Sequence, residues 1–414
     1  MNSRLKNVVV AAIIAAIALA ISPIGIEWLT GRPVLTPRIT TVSLTFDLFL
    51  LVVAAAILLQ GRARRVAFHV GAWAFPLAAL AGIEVVAIAT HLADRIAPVE
   101  NNSSLNNWNR WPGYLLSDGR WAAPSSDVRL YKPWRGDGIV INELGLRTAP
   151  PSPKAPGEWR IAITGGSAVW GFRVLDADTI PAQLQDMLRR TKARVTVYNF
   201  GIEGARLASE LALLKKFRAA YQLDQVIFYT GGNDVIAPYL PDMDNSKGLG
   251  WIVSDKTGFE LAKLARRLMV QWSKPSAAEL ARLDNDVLVP TLRNSPLRAS
   301  IAAANAYCNE EKLRCDFILQ PLIFSRQNPP AAEARLIDIT DHLYPRLALL
   351  GRRLYADVMA AGLPAAIHDF SNVFNDDRRI FFIDMIHLNE AGNRHVAGQI
   401  AKVIAVGEPP APTR

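Results

Sequence analysis

Three short apolar runs dominate the middle of this chain, and each ends in small or polar residues where a helical pattern takes over. Arg160-Ile161-Ala162-Ile163-Thr164 leads into Gly165-Gly166-Ser167. Val195-Thr196-Val197-Tyr198-Asn199-Phe200 leads towards Gly204, and Gln225-Val226-Ile227-Phe228-Tyr229-Thr230 into Gly231-Gly232-Asn233-Asp234. Runs like these read as strands buried on both faces, the habit of a parallel sheet covered by helices. Leucines and alanines at helical spacing predict helices over Ile180–Arg190 and Arg206–Tyr221. Pro238–Leu313 reads as an insertion, mostly helical from Phe259. Asp316–Phe324 reads as a fourth strand, Ala332–Ala361 as a long helical region, Ala365–Phe370 as a fifth strand, and a last helix follows His387. The alternation predicts the α/β class, a three-layer α/β/α domain over residues 159–406 with a five-stranded parallel sheet in the order 2-1-3-4-5. That order sets the first three strand ends side by side, where open α/β sheets bind their ligands.

Each of those ends carries a group with chemical use, and Asp384-Met385-Ile386-His387 adds an acid and a base three residues apart. A serine hydroxyl is a weak nucleophile until a base removes its proton. Ser167 is the expected nucleophile and His387 the expected base, with Asp384 orienting the imidazole and stabilising its cation. The backbone N–H groups of Ser167 and Gly204 and the side chain of Asn233 are the expected oxyanion hole. Alone, Gly204 reads equally as a turn and Ser167 as a helix cap; together the blocks predict acyl-transfer chemistry. His368 and His395 lack such a setting and read as structural.

The four blocks, in this order, resemble the SGNH (GDSL-type) esterase family over roughly Arg160 to Val403. The resemblance implies a flavodoxin-like fold and a Ser-His-Asp mechanism on esters. The name-giving Gly-Asp-Ser-Leu reads Gly165-Gly166-Ser167-Ala168 here, and the missing Asp is expected to leave the catalytic groups untouched. Membrane-anchored relatives with an extracytoplasmic catalytic domain imply O-acyl, chiefly O-acetyl, esters of an envelope or secreted glycan as substrates. Hydrolysis through an acyl-enzyme and O-acyl transfer are both open. A lipid or lysophospholipid esterase is a second reading. A non-catalytic glycan-binding scaffold, docked on a polysaccharide-export or membrane acyltransferase partner, is a third. The net charge of +9 does not choose, since anionic lipid and anionic polysaccharide would both be attracted. No nucleic-acid motif accompanies the charge. Six scattered histidines form no H-x-x-x-H pair and Cys308 and Cys315 lack ligand spacing, so no metal and no cofactor is called for. A Cys308–Cys315 disulfide and two buried thiols remain alternatives.

The N-terminus is a different kind of sequence. Val8 to Ile26 holds no charge, about 28 Å at helical rise. A second run is broken only by Asp47, and a third carries His69, Glu84 and His91. Residues 1–98 are therefore expected to form a membrane anchor of three transmembrane helices, at about 8–28, 42–60 and 66–93. Arg4 and Lys6, and the cluster Arg62, Arg64 and Arg65, mark cytoplasmic ends. Three crossings then deliver residue 99 onward to the far side of a bacterial inner membrane, the periplasm. A secretory signal cleaved near Ala18-Leu19-Ala20 is the competing reading. Asp47 and Glu84 are expected near the outer face, reaching the headgroups. Residues 99–158 read as a tryptophan-rich extracytoplasmic linker whose final stretch is Pro150–Gly157, with its aromatics packed on the enzyme. Residues 407–414 read as a frayed tail.

Overall fold

The computed structural model describes residues 3–22, 37–59, 120–123, 126–136, 138–191, 194–239 and 275–404, with isolated positions among 24–28, 79–96, 261–268 and at 406. Two compact units divide the chain. One comprises Met1–Val99 and Asp242–Ser273, the other Glu100–Pro241 and Lys274–Arg414. The insertion expected inside the 159–406 domain is therefore shared between the units.

In the first unit, helices α1 (Ser3–Ile21) and α2 (Pro37–Leu58) pack against each other. The three expected membrane-crossing helices are not seen as such: among the described residues no helix is long and apolar enough to cross a membrane. Within α1 the uncharged part, Val8–Ile21, spans about 21 Å, short of the roughly 30 Å of a hydrocarbon core. Asp47 divides α2, leaving Leu48–Leu58, about 16 Å, as its unbroken apolar part. Most of 66–93 lies outside the described residues. Asp47 and Glu84 are both buried rather than turned outward, and Glu84 accepts the N–H of Leu261 at 3.0 Å.

The second unit is built on the expected parallel sheet. Its strands are β1 (Trp159–Gly165), β2 (Val195–Gly201), β3 (Gln225–Thr230), β4 (Arg314–Leu319) and β5 (Ala366–Asp369), in the order β2-β1-β3-β4-β5. β1 and β3 are buried at every residue, which is why they carry no alternation in the sequence. The helices α3 (Ser167–Trp170) and α4 (Ile180–Thr191) follow β1, and α5 (Leu207–Tyr221) follows β2. The short α6 (Gly232–Ile236) follows β3, and α7 (Ala277–Leu283), α8 (Val289–Asn294) and α9 (Pro296–Glu310) lead to β4. The single helical region expected over Ala332–Ala361 is two helices, α10 (Ala331–Leu343) and α11 (Leu347–Ala360). Pro345 explains the break: the residue before a proline is driven out of helical geometry, and Arg346 turns left-handed at φ 75°. A final helix, α12 (Glu390–Val403), pairs with α4, and α9 neighbours both α5 and α11.

Two further corrections concern the edges of this unit. The fourth strand stops at Leu319 rather than Phe324, because the chain turns into a 3-10 turn at Ile323–Ser325. The Pro-rich stretch is no free linker. Arg160, 1% exposed, donates to the carbonyls of Ser152, Pro153 and Tyr221, and Lys154 pairs with Asp224. A buried guanidinium must find acceptors, and the proline stretch supplies them. Trp159, which opens β1 just after the expected linker, is buried with its Nε1 donating to Gln225 at 3.1 Å; of the linker tryptophans, Trp108 and Trp111 lie outside the described residues. Cys308 at the end of α9 and Cys315 on β4 form a disulfide. The tail at 407–414 also lies outside the described residues.

Candidate active site

The chain leaves β1 through Gly165 and Gly166 and enters α3 at once, so Ser167 stands at the first helical position. Its backbone N–H is among those a helix start leaves unpaired. The cap position is Gly166, not Ser167, so the Ser167 hydroxyl is not used as a helix cap. Its partner is His387: Ser167 Oγ and His387 Nε2 are 2.6 Å apart, and His387 Nδ1 is 2.6 Å from Asp384 Oδ2. The structure thus joins residues 220 positions apart in sequence. Asp384 Oδ1 accepts the N–H groups of Ile386 (3.0 Å) and His387 (2.8 Å), so the carboxylate organises its own loop as well as the imidazole. Against the cost of burial, His387 and these hydrogen bonds hold the Asp384 carboxyl down at about 2.

The loop carrying Asp384 and His387 is pinned from below. Glu333 on α10 is fully buried; its Oε1 accepts Phe381 N–H at 2.6 Å and Phe382 N–H at 2.9 Å. The same carboxylate pairs with Arg326, whose guanidinium also reaches the carbonyls of Asp377 and Arg379. Asn389 closes the loop: its side chain accepts Gly392 N–H at 2.9 Å and caps α12. Phe172 stands 4.3 Å from the His387 ring, centroid to centroid, and so walls one side of the imidazole.

The other two expected groups come from neighbouring strand ends. Gly204 has φ 74°, which glycine adopts without strain, and a side chain there would meet open space. Asn233 Nδ2 donates one hydrogen to Ala205 O at 2.8 Å, leaving its second amide hydrogen for another acceptor. The same nitrogen crowds Gly166: a Cβ at that position would lie 2.1 Å away. With glycine at 166 in place of the family's Asp, the contacts of Ser167, His387 and Asp384 are in place, and the Asn233 amide lies against the bare backbone at 166.

His368 lies on β5 with Nε2 3.6 Å from Asp316, and His395 lies on α12 against Phe374 and Phe381. Neither is placed beside Ser167 by any hydrogen bond among the described residues. Among the same residues no group of three His, Cys, Asp or Glu is placed to hold a metal ion. A cleft of about 450 Å³ lies along the edge strand β2, lined by Arg135, Arg147, Gln185, Tyr198 and Asn199 among others, and the triad is not part of its lining. Sequence reasoning missed Phe172 and Glu333, neither of which left a signal; Gly166 was visible as a departure from the family pattern, but not its closeness to Asn233.

This arrangement can deprotonate a serine hydroxyl and meet a developing oxyanion with N–H donors. The profile of GDSL-like lipases and acylhydrolases matches residues 161–400. No individual curated protein matches the chain. Among solved structures, an acetyl xylan esterase is similar at 14% identity over 59% of this chain and 100% of its own, with a TM-score of 0.32. A variant acetyl xylan esterase from Geobacillus stearothermophilus is similar at 16% identity over 60% and 96%, TM-score 0.35. A psychrotrophic esterase from Pseudoalteromonas sp. is similar at 12% identity over 59% and 95%, TM-score 0.33.

Proposed function

Because this chain belongs to the family of GDSL-like lipases and acylhydrolases, we propose that it cleaves O-acyl, chiefly O-acetyl, esters of an envelope or secreted glycan through an acyl-enzyme on Ser167. The observation that carries the chemistry is the pair of 2.6 Å contacts, Ser167 Oγ to His387 Nε2 and His387 Nδ1 to Asp384 Oδ2. In this reading Oγ attacks the acyl carbonyl while His387 takes its proton. The carbonyl oxygen becomes an oxyanion met by the N–H groups of Ser167 and Gly204 and by Asn233 Nδ2. Collapse breaks the ester bond, and His387 returns the proton to the departing sugar hydroxyl. Water, deprotonated by His387, then attacks the acyl-Ser167 ester and releases the carboxylic acid. An acceptor hydroxyl in place of that water would make the same site an O-acyltransferase.

A short acyl group is favoured in this reading because Phe172 is tilted against the imidazole, beside the reacting groups. The first unit is read as the membrane attachment. Leu5, Val8, Val9, Val10, Ile13 and Ile17 on α1, and Leu44, Leu48, Leu51 and Val52 on α2, are exposed, which suits contact with lipid rather than water. The Cys308–Cys315 disulfide supports placing the second unit in an oxidising compartment, outside the cytoplasm. Alkaline phosphatase fused after Arg120 is expected to be active and after Arg64 inactive; the reverse pattern would remove the envelope-glycan reading.

The substrate is tested with p-nitrophenyl acetate, butyrate and decanoate alongside an acetylated oligosaccharide and a lysophospholipid. The proposal expects acetate to be the best ester and acetic acid to be released from the oligosaccharide. Preference for decanoate with fatty-acid release would favour the lipid reading. Acetyl transfer to an added oligosaccharide would identify a transferase.

A further inference from the structure

Gly204 lies in the turn before α5 and Asn233 in the first turn of α6, so their separation must be set by whatever joins those two segments. Three side-chain links do so. Asn233 Nδ2 donates to Ala205 O at 2.8 Å, and Leu207 N–H donates to Asp234 Oδ2 at 3.4 Å. The third is deeper: Thr230, the last residue of β3, donates its hydroxyl to Glu210 Oε1 at 3.1 Å. Glu210 lies in the first turn of α5, six residues after Gly204, and is 1% exposed. Thr230 stands three residues before Asn233. The Glu210–Thr230 contact therefore ties the start of α5 to the strand end that launches Asn233.

The other oxygen of Glu210, Oε2, is buried with no hydrogen-bond partner among the described residues. A buried carboxyl with an empty oxygen is unfavourable unless it carries a proton, and packing alone would be served by an apolar residue. We propose that Glu210 is a positioning residue of the oxyanion hole: through Thr230 and the first turn of α5 it holds the Gly204 N–H and the Asn233 amide at the separation that the tetrahedral intermediate requires. It touches no reacting atom.

The surroundings determine what it needs in order to do this. Burial, and then the neighbouring Asp234 carboxylate, push the Glu210 carboxyl well above its ordinary value. Asp234, on α6, is itself pushed up to about 6 by burial, against the hydrogen bond from Leu207 and the charge of Arg206. Among the described residues the phenol of Tyr355 on α11 also faces Asp234, and burial pushes it well above its ordinary value. The two carboxyls thus act on each other: a charge on Asp234 makes a charge on Glu210 harder to form. Ionising Glu210 beside ionised Asp234 puts two like charges in one dry space and drives α5 from α6, spreading the two oxyanion donors.

The test is steady-state hydrolysis of p-nitrophenyl acetate by the full-length protein and its E210Q and E210A variants from about pH 6 to about pH 10, with folding followed by thermal melting. Glutamine copies the neutral acid, keeps the Thr230 link and cannot ionise. The wild type is expected to lose kcat on the alkaline side, and E210Q to keep kcat within about threefold at neutral pH and to lack that alkaline loss. E210A is expected to lose about tenfold or more in kcat with KM within about twofold, since transition-state contacts and not substrate binding are disturbed. A folded E210A with wild-type kcat, or an E210Q that keeps the wild-type alkaline limb, overturns the proposal. If E210A does not fold, the E210Q profile decides alone. This small ester needs no glycan recognition, so a failure here leaves the glycan reading standing, and the reverse also holds.

Discussion

Gly166 and Asn233 compete for one space: a methyl group on Gly166 would stand 2.1 Å from the Asn233 amide nitrogen and 3.2 Å from Ala205 O. The nearest atom is the far end of a side chain, so the cheap relief is for Asn233 to swing away. Gly166→Ala is therefore expected to lower kcat for a small acetyl ester by about tenfold or more while the melting temperature moves little, because an oxyanion donor is misaimed rather than the core disturbed. Asn233→Ala should lose about a hundredfold or more. An active Gly166→Ala enzyme with wild-type kcat would mean that Asn233 does not serve the oxyanion.

His387→Ala should cost far more activity than Asp384→Asn. The imidazole carries the proton, whereas the aspartate orients it, and an asparagine can keep part of that contact at 2.6 Å. Both variants are compared with the wild type on one small ester. Equal losses would show that Asp384 does more than orient and stabilise.

The Asp384 carboxyl, held down at about 2 from an ordinary 3.8, should also leave a mark on acid stability. A depressed carboxyl stabilises the folded state above its unfolded value, and that contribution is lost as the pH falls towards the folded value. The difference in urea midpoint between wild type and Asp384→Asn is thus expected to be constant above about pH 5 and to shift steadily against the wild type between about pH 4 and about pH 2. A difference unaffected by pH across that window would show that the carboxylate's charge is not what the fold uses.

The disulfide should matter for stability and not for chemistry. Cys308 and Cys315 lie seven residues apart, and Cys315 sits near the start of β4, at the end of the sheet away from Ser167. Replacing both with alanine is expected to cost about 2 kcal/mol, from the loop-closure estimate for so short a loop, with kcat changed by less than about twofold. A large loss of kcat at temperatures where the variant is folded would contradict this.

Much of the second unit was legible because its strands are continuous apolar runs and its reactive groups fall at their ends. β1, β2 and β3 and the helices α4 and α5 lie within a residue or so of where periodicity put them, and the strand order follows the expected winding. Pro345 carried a visible signal for the break between α10 and α11 that helical composition on both sides masked. Other features depend on partners distant in sequence. Proline-rich residues 150–157 look like linker until Arg160, buried under them, is seen to need their carbonyls. Phe172 became visible as a wall of the site only once residue 387 was placed beside it. Glu210 left a signal in hindsight, a carboxyl within an otherwise apolar helix face of Leu207, Leu213 and Leu214. At the N-terminus, uncharged run length predicted membrane crossings, whereas of the helices described there α1 ends at Ile21 and the apolar run of α2 is interrupted by Asp47.

The central claim, that Ser167 is a nucleophile activated by His387, is tested most directly by fluorophosphonate labelling followed by peptide mass mapping. Only a deprotonated or readily deprotonated serine is labelled, and no knowledge of the natural substrate is needed. The adduct is expected on Ser167 in the wild type, to be absent in Ser167→Ala, and to form orders of magnitude more slowly in His387→Ala. An adduct on another residue, or labelling of Ser167 at the wild-type rate without His387, would contradict the account.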